Sequence, residues 1–555
     1  MRLKHCSKFK GGAVEGKIEF VVTANGVPYK QARLAETWDA IVIGSGIGGL
    51  TAAILLGAHA GKRVLVLERH YAAGGFTHTF HRPDYEWDVG LHYIGQMQDE
   101  GSPVRRAFDH ITGGRVQWHP MPEIYDRFII EGRTFDYAAG LDRFREGLRQ
   151  SFPAEISAID RYLGAVHACN RVRGLYYAEK AVPALLAMLA GGLMRVPYLR
   201  WARRTTREVL ESFTGNRELI GVLAGQWGDY GLPPGESSFA AHATIAEHYF
   251  GGASYPVGGA GAIAAAIVPQ IEDAGGVVVT SSEVSAILLN GSTAAGVRMI
   301  DGREFHSRVV LSDAGAANTF ERLLPANLSS LHSLRRGLQK LRPSTAHIGL
   351  YVGLSQSDTA LGLKGTNFWV YPSFDHDANV ERFARDMDAP LPGVYLSFPS
   401  AKDPDFQRRH PGRSTIEAIT MLPYAAFGRW GETRWKRRGD EYDVLKQRLS
   451  ARLLAEVERQ APSVLGNIAY TELSTPVTTR HFMNYGHGEI YGVASTPERF
   501  LMRELGARTP VRGLYLTGQD VASLGVVGAM YGGVISASVA TGKNLLSLVS
   551  KPRVA

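Results

Sequence analysis

The sequence predicts an α/β protein with a Rossmann-type nucleotide-binding domain and a second, α+β domain. Three observations predict this fold. A strand–turn–helix–strand pattern fills residues 38–75, α/β character returns at 249–325, and a strand followed by a small-residue helix occupies 513–546. A chain of 555 residues also exceeds one compact core, so two domains are expected.

The first pattern has the order of a complete βαβ unit. Residues 40–43 are an apolar run long enough for one buried strand, 50–60 are helical in composition, and 64–67 form a second apolar strand. Glycines take the first, third and sixth positions of the intervening turn: Gly44, Gly46 and Gly49. In this context the spacing predicts a dinucleotide-binding turn.

Each position of this unit has a physical role. Gly44 permits the tight turn, Gly46 leaves room for a pyrophosphate, and Gly49 lets the helix pack closely on the sheet. The free N–H groups at the helix N-terminus attract phosphate. Glu68 ends the second strand and can accept hydrogen bonds from ribose hydroxyls. Because it would repel a 2′-phosphate, the tightly held nucleotide is not expected to be NADP.

The residues that follow extend the same predicted site. Arg69 comes directly after Glu68, and Gly74 and Gly75 come five and six residues later. A loop that returns beside the pyrophosphate would use the arginine as a phosphate or ribose partner and the glycines for close approach.

The C-terminal segment offers a second group of candidates. Strand 514–517 leads into Gly518, which permits close approach, and Asp520, whose carboxylate suits the hydroxyls of a ribityl chain. A helix N-terminus is predicted just beyond, at Gly528, Ala529 and Met530. Its positive dipole end suits the edge of a flavin on which negative charge develops upon reduction.

No metal site is predicted. The two cysteines, Cys6 and Cys169, lie in no metal-ligand spacing, and His78, His81 and His92 lack the helical i, i+4 pairing of a zinc motif. The absence of a disulfide framework favours a reducing compartment.

Composition is typical of a soluble globular protein, with 45% hydrophobic and 21% charged residues. The net charge of +8 is spread over basic runs that accompany no nucleic-acid-binding motif, so no nucleic-acid partner is expected. The basic N-terminus lacks a following apolar region, which argues against a signal peptide and favours a cytoplasmic location.

One apolar stretch suggests contact with a membrane. Residues 181–194 are uncharged, too short to span a bilayer, and broken by Pro183. The segment 195–207 adds five arginines, with Tyr198 and Trp201 between them. The pattern suits a helix that lies in a membrane interface, and it equally suits a buried helix pair with a basic outer face. Peripheral membrane association is expected, without a transmembrane helix.

These motifs together resemble a known superfamily. The FAD-binding amine-oxidase and phytoene-desaturase superfamily has a similar set, carried here by Glu68-Arg69, Gly74-Gly75 and Gly518-Gln519-Asp520. Within it, three further segments resemble the all-trans-retinol 13,14-reductases and carotenoid isomerases more than the desaturases: residues 87–95, residues 255–259 and residues 489–492.

The resemblance implies a glutathione-reductase-like FAD-binding domain that is discontinuous in sequence. It would comprise 38–99, 249–330 and 506–550, after an N-terminal extension at 1–37. The substrate-binding domain would comprise 100–248 and 331–505, with a mixed sheet and a helical part that faces a membrane.

The resemblance also implies roles for individual residues around a non-covalently bound FAD. The pyrophosphate would face Gly44, Gly46, Gly49 and Arg69, and the adenosine ribose would face Glu68. Val284 would lie at the adenine, Gly74 and Gly75 on the flavin side, Asp520 with Gly518 at the ribityl–phosphate region, and Gly528 to Met530 at the flavin ring.

The function implied is an FAD-dependent oxidoreductase acting on a carbon–carbon double bond of a hydrophobic polyene, a retinoid or a carotenoid. It would work as a saturase or as a redox-neutral cis–trans isomerase, with NAD(P)H as a transient electron donor. Candidate proton donors are Tyr491, Tyr93, His92 and Glu489. Two alternatives stay open: a desaturase that uses oxidised FAD, and a non-catalytic escort protein that binds prenyl chains. The substrate's reacting bond, the electron donor and the oligomeric state are not specified by these residues.

Overall fold

The computed structural model describes residues 26–553. The first 25 residues of the predicted extension, Cys6 among them, therefore lie outside the described part. The end of the extension joins the main sheet, because Val27 and Pro28 pair in parallel with Val279 and Thr280.

The strands of the described part are short, and most are buried. In chain order they are β1 Val27–Pro28, β2 Ala40–Ile43, β3 Val64–Leu67, β4 Thr79–Arg82, β5 Tyr85–Asp88, β6 Ile94–Gly95, β7 Trp118–Pro120, β8 Ile124–Ile130, β9 Arg133–Ala138, β10 Ala253–Pro256, β11 Val277–Thr280, β12 Val284–Asn290, β13 Thr293–Met299, β14 Glu304–His306, β15 Val310–Ser312, β16 Ala346–Leu354, β17 Asn367–Tyr371, β18 Val394–Ser397, β19 Ser414–Leu422, β20 Ile468–Ser474 and β21 Leu514–Leu516.

The α-helices range from single turns to α4 and α15, which have 26 and 21 residues. In the same part of the chain they are α1 Ile47–Ala60, α2 Pro103–Thr112, α3 Leu141–Ser151, α4 Ile156–Ala181, α5 Ala184–Ala202, α6 Thr206–Glu211, α7 Arg217–Leu223, α8 Phe239–Tyr249, α9 Gly261–Asp273, α10 His332–Leu338, α11 Asp358–Leu361, α12 His376–Arg385, α13 Pro399–Lys402, α14 Phe406–Arg409, α15 Asp440–Gln460, α16 Pro476–Met483, α17 Pro497–Leu501, α18 Gly525–Thr541 and α19 Leu545–Val549.

A six-stranded parallel sheet forms the nucleotide-binding half, in the order β1-β11-β3-β2-β15-β21. Its central strands β2 and β3 are apolar throughout and buried on both faces, as parallel strands require. The order reverses between β2 and β15, which are neighbours although their first residues are 270 positions apart. Ligands bind at such a switch point, beyond the carboxyl ends of the strands. The Rossmann-type, discontinuous architecture predicted from the sequence is confirmed.

Helices α1 and α18 cover this sheet and pack against each other through glycines. A Cβ on Gly48 would lie 2.5 Å from the Cα of Gly518, and a Cβ on Gly533 would collide with the carbonyl oxygen of Gly48. Because only glycine allows this backbone approach, the contact fixes the C-terminal segment onto the first βαβ unit.

The second half contains a seven-stranded mixed sheet, in the order β20-β16-β19-β18-β17-β8-β9. Its strands are antiparallel except for the parallel pair β17–β8. Helix α2 lies beyond the boundary drawn at residue 99 but packs with α1 and α9, in the same apolar core as the nucleotide-binding sheet.

Helix α5 carries the apolar stretch noted in the sequence and leaves much of it exposed. Leu189 is 74% exposed and Leu193 is 81% exposed. The residues expected beside them as basic and aromatic anchors divide into two groups. Arg195 and Tyr198 are buried, so the prediction that they anchor a surface is wrong, whereas Arg200 and Arg203 are exposed. Between residues 26 and 553, no helix combines the length and apolar character needed to cross a membrane.

Candidate active site

A cavity of about 800 Å³ begins at the switch point of the parallel sheet and continues into the second half. At one end it is lined by the turns after β2 and β3, and at the other by side chains of the mixed sheet and of α8. The site is therefore one continuous space with a polar, glycine-rich end and an aromatic end.

The turn after β2 has the geometry of a phosphate-binding loop. Gly44 has a left-handed backbone with φ of 94°, and α1 begins at Ile47 with Gly46 as its N-cap. Gly44, Gly46 and Gly48 line the cavity. Gly49 does not, since a Cβ there would collide with the carbonyl oxygen of Gly44. Gly49 thus has the packing role that the strand–turn–helix pattern predicts, and it lies off the wall at which a pyrophosphate contact was expected.

Glu68 lines the cavity and holds the phosphate-binding turn in place. Its Oε2 accepts hydrogen bonds from the backbone N–H of Ser45 at 2.8 Å and from the Ser45 hydroxyl at 2.6 Å. Its Oε1 accepts from the backbone N–H of His70 at 2.7 Å. The carboxylate thus joins the ends of β2 and β3 while one face remains toward the cavity.

Arg69 and Val284 lie beside Glu68 on the cavity wall. Arg69 Nη1 donates to the carbonyl of His481 at 2.7 Å, and its Nε lies 3.3 Å from Glu283 Oε2. The arginine therefore links the first βαβ unit to the last turn of α16.

Gly74 and Gly75 return to the phosphate-binding turn. The Gly74 N–H donates to the Ser45 carbonyl at 3.0 Å, and a Cβ on Gly75 would lie 2.9 Å from the Cα of Gly46. Both glycines have positive φ, 117° and 57°. A side chain at Gly75 would fill the space between the two loops, so glycine keeps this part of the cavity open.

The C-terminal candidates are placed differently from the prediction. Helix α18 begins at Gly525, three residues before the predicted start. Gly528 and Ala529 line the cavity from its second turn, whereas Met530 is fully buried in the core and Gly518 packs against Gly48, outside the cavity. Met530 therefore packs in the core and Gly518 against α1, and neither lines the cavity where the flavin was expected.

Asp520 does line the cavity, but its carboxylate is already hydrogen-bonded. Oδ2 accepts from the Ala316 N–H at 2.8 Å and Oδ1 from the Val493 N–H at 3.0 Å. It therefore joins the strand ends of β15 and β21 to the segment 489–493. Next to it, the hydroxyl of Thr517 is buried on the cavity wall without a protein partner.

The sequence analysis missed Asp313, which follows β15 and lines the cavity beside the phosphate-binding turn. A Cβ on Gly46 would lie 2.5 Å from Asp313 Oδ2. Burial raises the pKa of this carboxyl to about 8, partly offset by a hydrogen bond from the Gly49 N–H. The sequence does contain a signal for this residue. Asp313-Ala314-Gly315 directly follows the last residue of β15, and an acid after a parallel strand is typical of a switch point.

Three of the four candidate proton donors line the cavity. The Tyr491 hydroxyl donates to the carbonyl of Gly228 at 3.3 Å. His92 Nδ1 lies 2.7 Å from Glu417 Oε2, and burial lowers the pKa of the imidazole to about 4. Burial also raises the pKa of Glu417 to about 8. At neutral pH, a neutral imidazole next to a protonated carboxyl satisfies both shifts.

The remaining two candidates differ from each other in placement. Tyr93 lines the cavity, and its hydroxyl lies between the carboxyl groups of Asp126 and Asp229. Glu489 lies off the cavity wall, where Oε2 accepts from the His487 N–H at 2.8 Å. The expectation that Glu489 faces the reaction space is therefore wrong. Asp229 does line the cavity, and the sequence motifs did not indicate it. The two glycines of Gly225-Gln226-Trp227-Gly228, just before it, are typical of a tight turn.

Aromatic and aliphatic side chains line the far end of the cavity: Trp227, Tyr249, Trp369, Tyr395, Ile419, Met421 and Tyr491. The indole N–H groups of Trp227 and Trp369 have no hydrogen-bond partner. On another side, the cavity reaches α4 at Gly174 and Tyr177. This end suits an apolar, flat molecule.

A potential metal-binding group forms away from the cavity, although none was predicted. Of the residues that the structure describes, His81, Glu86 and His410 bring their ligand atoms within 4.8 Å of one another. Arg409 Nη1 lies 2.6 Å from Glu86 Oε1, so a guanidinium already neutralises the carboxylate that a metal ion would need.

The glycine-rich end fits FAD by its own chemistry. The N-terminus of α1 faces the cavity at Gly46 and Gly48, and Glu68 offers ribose acceptors. Among the described residues, the buried Thr517 hydroxyl on the same wall has no protein partner, so it is available to a ligand. The cavity then runs on into an aromatic space that can hold a second, apolar molecule. This fold and site define an FAD-dependent oxidoreductase with an enclosed apolar substrate cavity.

Comparison with known proteins identifies the family. A model of the NAD(P)-binding Rossmann-like domain matches residues 42–111. The all-trans-retinol 13,14-reductase of Danio rerio is 36% identical over 93% of this chain and 88% of its own length. An inactive all-trans-retinol 13,14-reductase of the same organism is 32% identical over 92% and 87%. The chloroplastic prolycopene isomerase of Arabidopsis thaliana is 25% identical over 90% and 82%.

Solved structures agree on the fold. An oxidoreductase from Methanosarcina mazei superposes with a TM-score of 0.59 at 18% identity, over 89% of this chain and 98% of its own. A putrescine oxidase variant superposes with a TM-score of 0.58 at 15% identity, over 91% and 99%. The chain belongs to the all-trans-retinol 13,14-reductase family.

Proposed function

We propose that this protein binds FAD non-covalently and reduces a carbon–carbon double bond of a hydrophobic polyene, with retinoids as the leading substrate class. The observation that carries the proposal is the continuity of the cavity, which joins a dinucleotide-binding end to an aromatic end. The names of its relatives support the same chemistry, and NAD(P)H is the proposed transient electron donor.

The proposed division of labour follows the two ends of the cavity. Gly46 and the N-terminus of α1 would hold the pyrophosphate, Glu68 the adenosine ribose, and Gly528 with Ala529 would border the flavin. When bound and reduced, FAD supplies a hydride equivalent. The protein then has to orient the polyene, exclude water and hold a proton.

The aromatic end suits these tasks. Trp369 and Tyr395 stand with ring centroids 4.5 Å apart, and Tyr93 stacks on Tyr249 at 4.4 Å. Such flat, rigid faces can hold a conjugated chain with little loss of conformational freedom. The same walls exclude water, which strengthens every electrostatic interaction at the reacting bond.

We further propose that the substrate enters from a lipid bilayer. Helix α5 exposes a row of large apolar side chains, and it packs beside α4, whose residues Gly174 and Tyr177 line the cavity. Exposed Arg200 and Arg203 stand at the end of the same helix, where they could contact anionic headgroups.

Product analysis tests the proposed reaction. Anaerobic holoprotein, reduced by NADPH or by light, is incubated with retinoids, carotenoids and unsaturated fatty acids. A product two hydrogens heavier than one polyene supports the proposal. A geometric isomer of unchanged mass would favour the redox-neutral reaction of the prolycopene isomerases, and a product two hydrogens lighter, formed by oxidised protein, would favour desaturation. No product from any polyene, despite full FAD occupancy, would refute the proposal.

Liposome flotation tests the membrane surface. The double variant Leu189→Asp/Leu193→Asp should no longer float with anionic liposomes while it retains FAD. Val444→Asp is the matched control, because Val444 is 64% exposed on α15 and not part of the α5 surface. Equal flotation of the double variant and the control would remove α5 from the proposal.

A further inference from the structure

Two buried side chains, Tyr93 and Asp126, form a hydrogen-bonded cluster with the partly buried Asp229 between the cavity and the mixed sheet. The hydroxyl oxygen of Tyr93 lies 3.0 Å from Asp126 Oδ2 and 2.7 Å from Asp229 Oδ2. Asp126 is on β8 of the mixed sheet, and Asp229 ends the helical turn 225–229. The tyrosine therefore joins the sheet to this turn.

Proton counting decides how this cluster is protonated. A tyrosine hydroxyl carries one proton and can donate to only one of two carboxylates. Asp126 is already supplied with donors, because Oδ1 accepts from Asn367 Nδ2 at 2.9 Å and Oδ2 from Gln226 Nε2 at 2.9 Å. Asp229 has no donor other than Tyr93 among the bonds of the described residues.

The arrangement that satisfies every contact places the extra proton on Asp229. Tyr93 then donates to the ionised Asp126, and the Asp229 carboxyl donates to the tyrosine oxygen. If Asp229 were ionised while Tyr93 donated to Asp126, the oxygens of Tyr93 and Asp229 would face each other at 2.7 Å with no proton between them. If Tyr93 donated to Asp229 instead, Asp126 Oδ2 would face the tyrosine oxygen at 3.0 Å without a proton, or Asp126 would have to be protonated although it already accepts from Asn367 and Gln226.

The two carboxyl groups also differ in access. Asp126 is 0% exposed and does not line the cavity, whereas Asp229 lines it, next to Gly228 and the aromatic end. A proton on Asp229 is therefore within reach of a bound polyene.

We propose that Asp229 is the proton donor of the reduction, with Tyr93 and Asp126 as positioning residues. This inference rests on the proposed reduction of a polyene. The π bond breaks, one carbon takes the hydride that reduced flavin supplies, and a C–H bond forms at the other carbon as the O–H bond of Asp229 breaks. Asp229 is left as a carboxylate, which regains a proton from solvent before the next turnover.

The electrostatics of the cluster agree with this assignment. Burial, with the neighbouring Asp126 next, holds the pKa of Asp229 well above its usual range, and the Tyr93 bond and Lys402 only partly oppose this. Burial raises the pKa of Tyr93 well above 10, so the phenol stays neutral. The other titratable groups that face Asp229 are phenols: Tyr125, Tyr230, Tyr249, Tyr371, Tyr395 and Tyr491. Apart from Lys402, none supplies a cation that would favour an ionised Asp229.

Infrared spectroscopy of the holoprotein tests where the proton resides, without turnover. With aspartate carboxyl groups labelled with ¹³C, the wild type at pH 7 should show a protonated-carboxyl band that Asp229→Asn lacks. Asp229→Glu serves if the asparagine variant does not fold, since it removes the labelled band and keeps a carboxyl group. Asp136→Asn, which changes an exposed carboxylate paired with Arg127 on β9, should leave the band in place.

Single-turnover kinetics of prereduced holoprotein test the proton transfer. Asp229→Asn should form product at least 10²-fold more slowly at unchanged FAD content, the usual contribution of a general acid, whereas Asp136→Asn should match the wild type. The wild-type rate should fall as pH rises through the pKa of Asp229, and the residual rate of Asp229→Asn should lack that fall. A wild-type rate in Asp229→Asn, or no band attributable to Asp229, would overturn the inference. If the wild type itself reduces no polyene, the proposed function fails, and the infrared band still decides whether Asp229 holds a proton.

Discussion

The contact between α1 and the C-terminal strand gives the sharpest prediction, because a single methyl group tests it. In Gly48→Ala, the new Cβ would lie 2.5 Å from the Cα and 2.8 Å from the N of Gly518. Ordinary contact begins at 3.4 Å, so the two backbones would have to separate by about 0.9 Å. A third atom, Asp313 Oδ1, would lie at 2.8 Å, but the two nearest contacts from Gly518 are backbone, so rotation of the Asp313 side chain would not relieve them.

The expected cost follows from this displacement. Overpacking of this kind costs about 1–3 kcal/mol, and the better helix propensity of alanine returns about 0.5–1 kcal/mol. We expect Gly48→Ala to lose about 1–2 kcal/mol of stability. Because the shift moves the N-terminus of α1, which lines the glycine-rich end of the cavity, we also expect weaker binding of FAD.

The matched control is Gly164→Ala, in the exposed middle of α4. A Cβ there meets nothing within 4 Å. Alanine should therefore stabilise the protein by about 0.5–1 kcal/mol. Denaturant midpoints and flavin absorbance after gel filtration measure both variants. If Gly48→Ala matches the control in midpoint and flavin content, the close packing of α1 on β21 does not organise the site.

Three further predictions concern charge and protonation. The wild type should lose affinity for FAD as Asp313 ionises near pH 8 beside the phosphate-binding turn. The affinity of Asp313→Asn should not vary between pH 6 and pH 9, and the same pH dependence of FAD affinity in both proteins would contradict this. Tyr491→Phe should lower turnover less than tenfold, since its hydroxyl is engaged by the carbonyl of Gly228, and a loss of 10²-fold or more would give Tyr491 the proton-transfer role. Acid should destabilise the fold through His242 and His248, whose pKa values burial lowers to about 3. Below pH 6.5 these two imidazoles bind protons in the unfolded chain and not in the folded chain, so each should remove up to about 1.4 kcal/mol per pH unit. The measurement compares the wild type with His248→Gln, because buried acids such as Asp313 change stability in the opposite direction in both proteins. Equal slopes of unfolding free energy against pH in the two proteins, from pH 6 to pH 4, would refute this.

The sequence was most informative where the signal is local. The strand–turn–helix–strand order at 38–75 is a short-range pattern, and the structure reproduces it with α1 starting three residues earlier than predicted. Glu68 is found on the cavity wall because the end of a parallel strand fixes its position. Such elements depend on periodicity and backbone geometry, which a single sequence records directly.

The membrane-interface pattern shows where one-dimensional reasoning fails. An arginine and a tyrosine next to an apolar run were expected at a surface, yet Arg195 donates to the carbonyl of Phe500 at 2.6 Å and Tyr198 is fully buried. Helix α5 has its buried face toward α4 and α17, and that face can be identified only from the partner helices. The leucines of the same apolar run, by contrast, are exposed, as a helix at a membrane surface requires.

The glycines explain the remaining errors in the predicted site. Gly49 and Gly518 were both placed at the cofactor, but other groups take the space of their Cβ atoms. At Gly49 this is the carbonyl oxygen of Gly44, and at Gly518 it is the carboxylate of Asp313. A sequence shows that a Cβ is absent, not what takes its space. The acidic residues pose the opposite problem, since Asp126 and Asp229 stand 103 positions apart and meet only through Tyr93. The dinucleotide-binding end of the cavity is thus formed largely by consecutive residues. The Tyr93–Asp126–Asp229 cluster at the aromatic end is formed by distant segments that share no motif. Glu489 belongs to a segment that resembles the family, yet it lies off the cavity wall. Asp229 lines the cavity but belongs to no such segment.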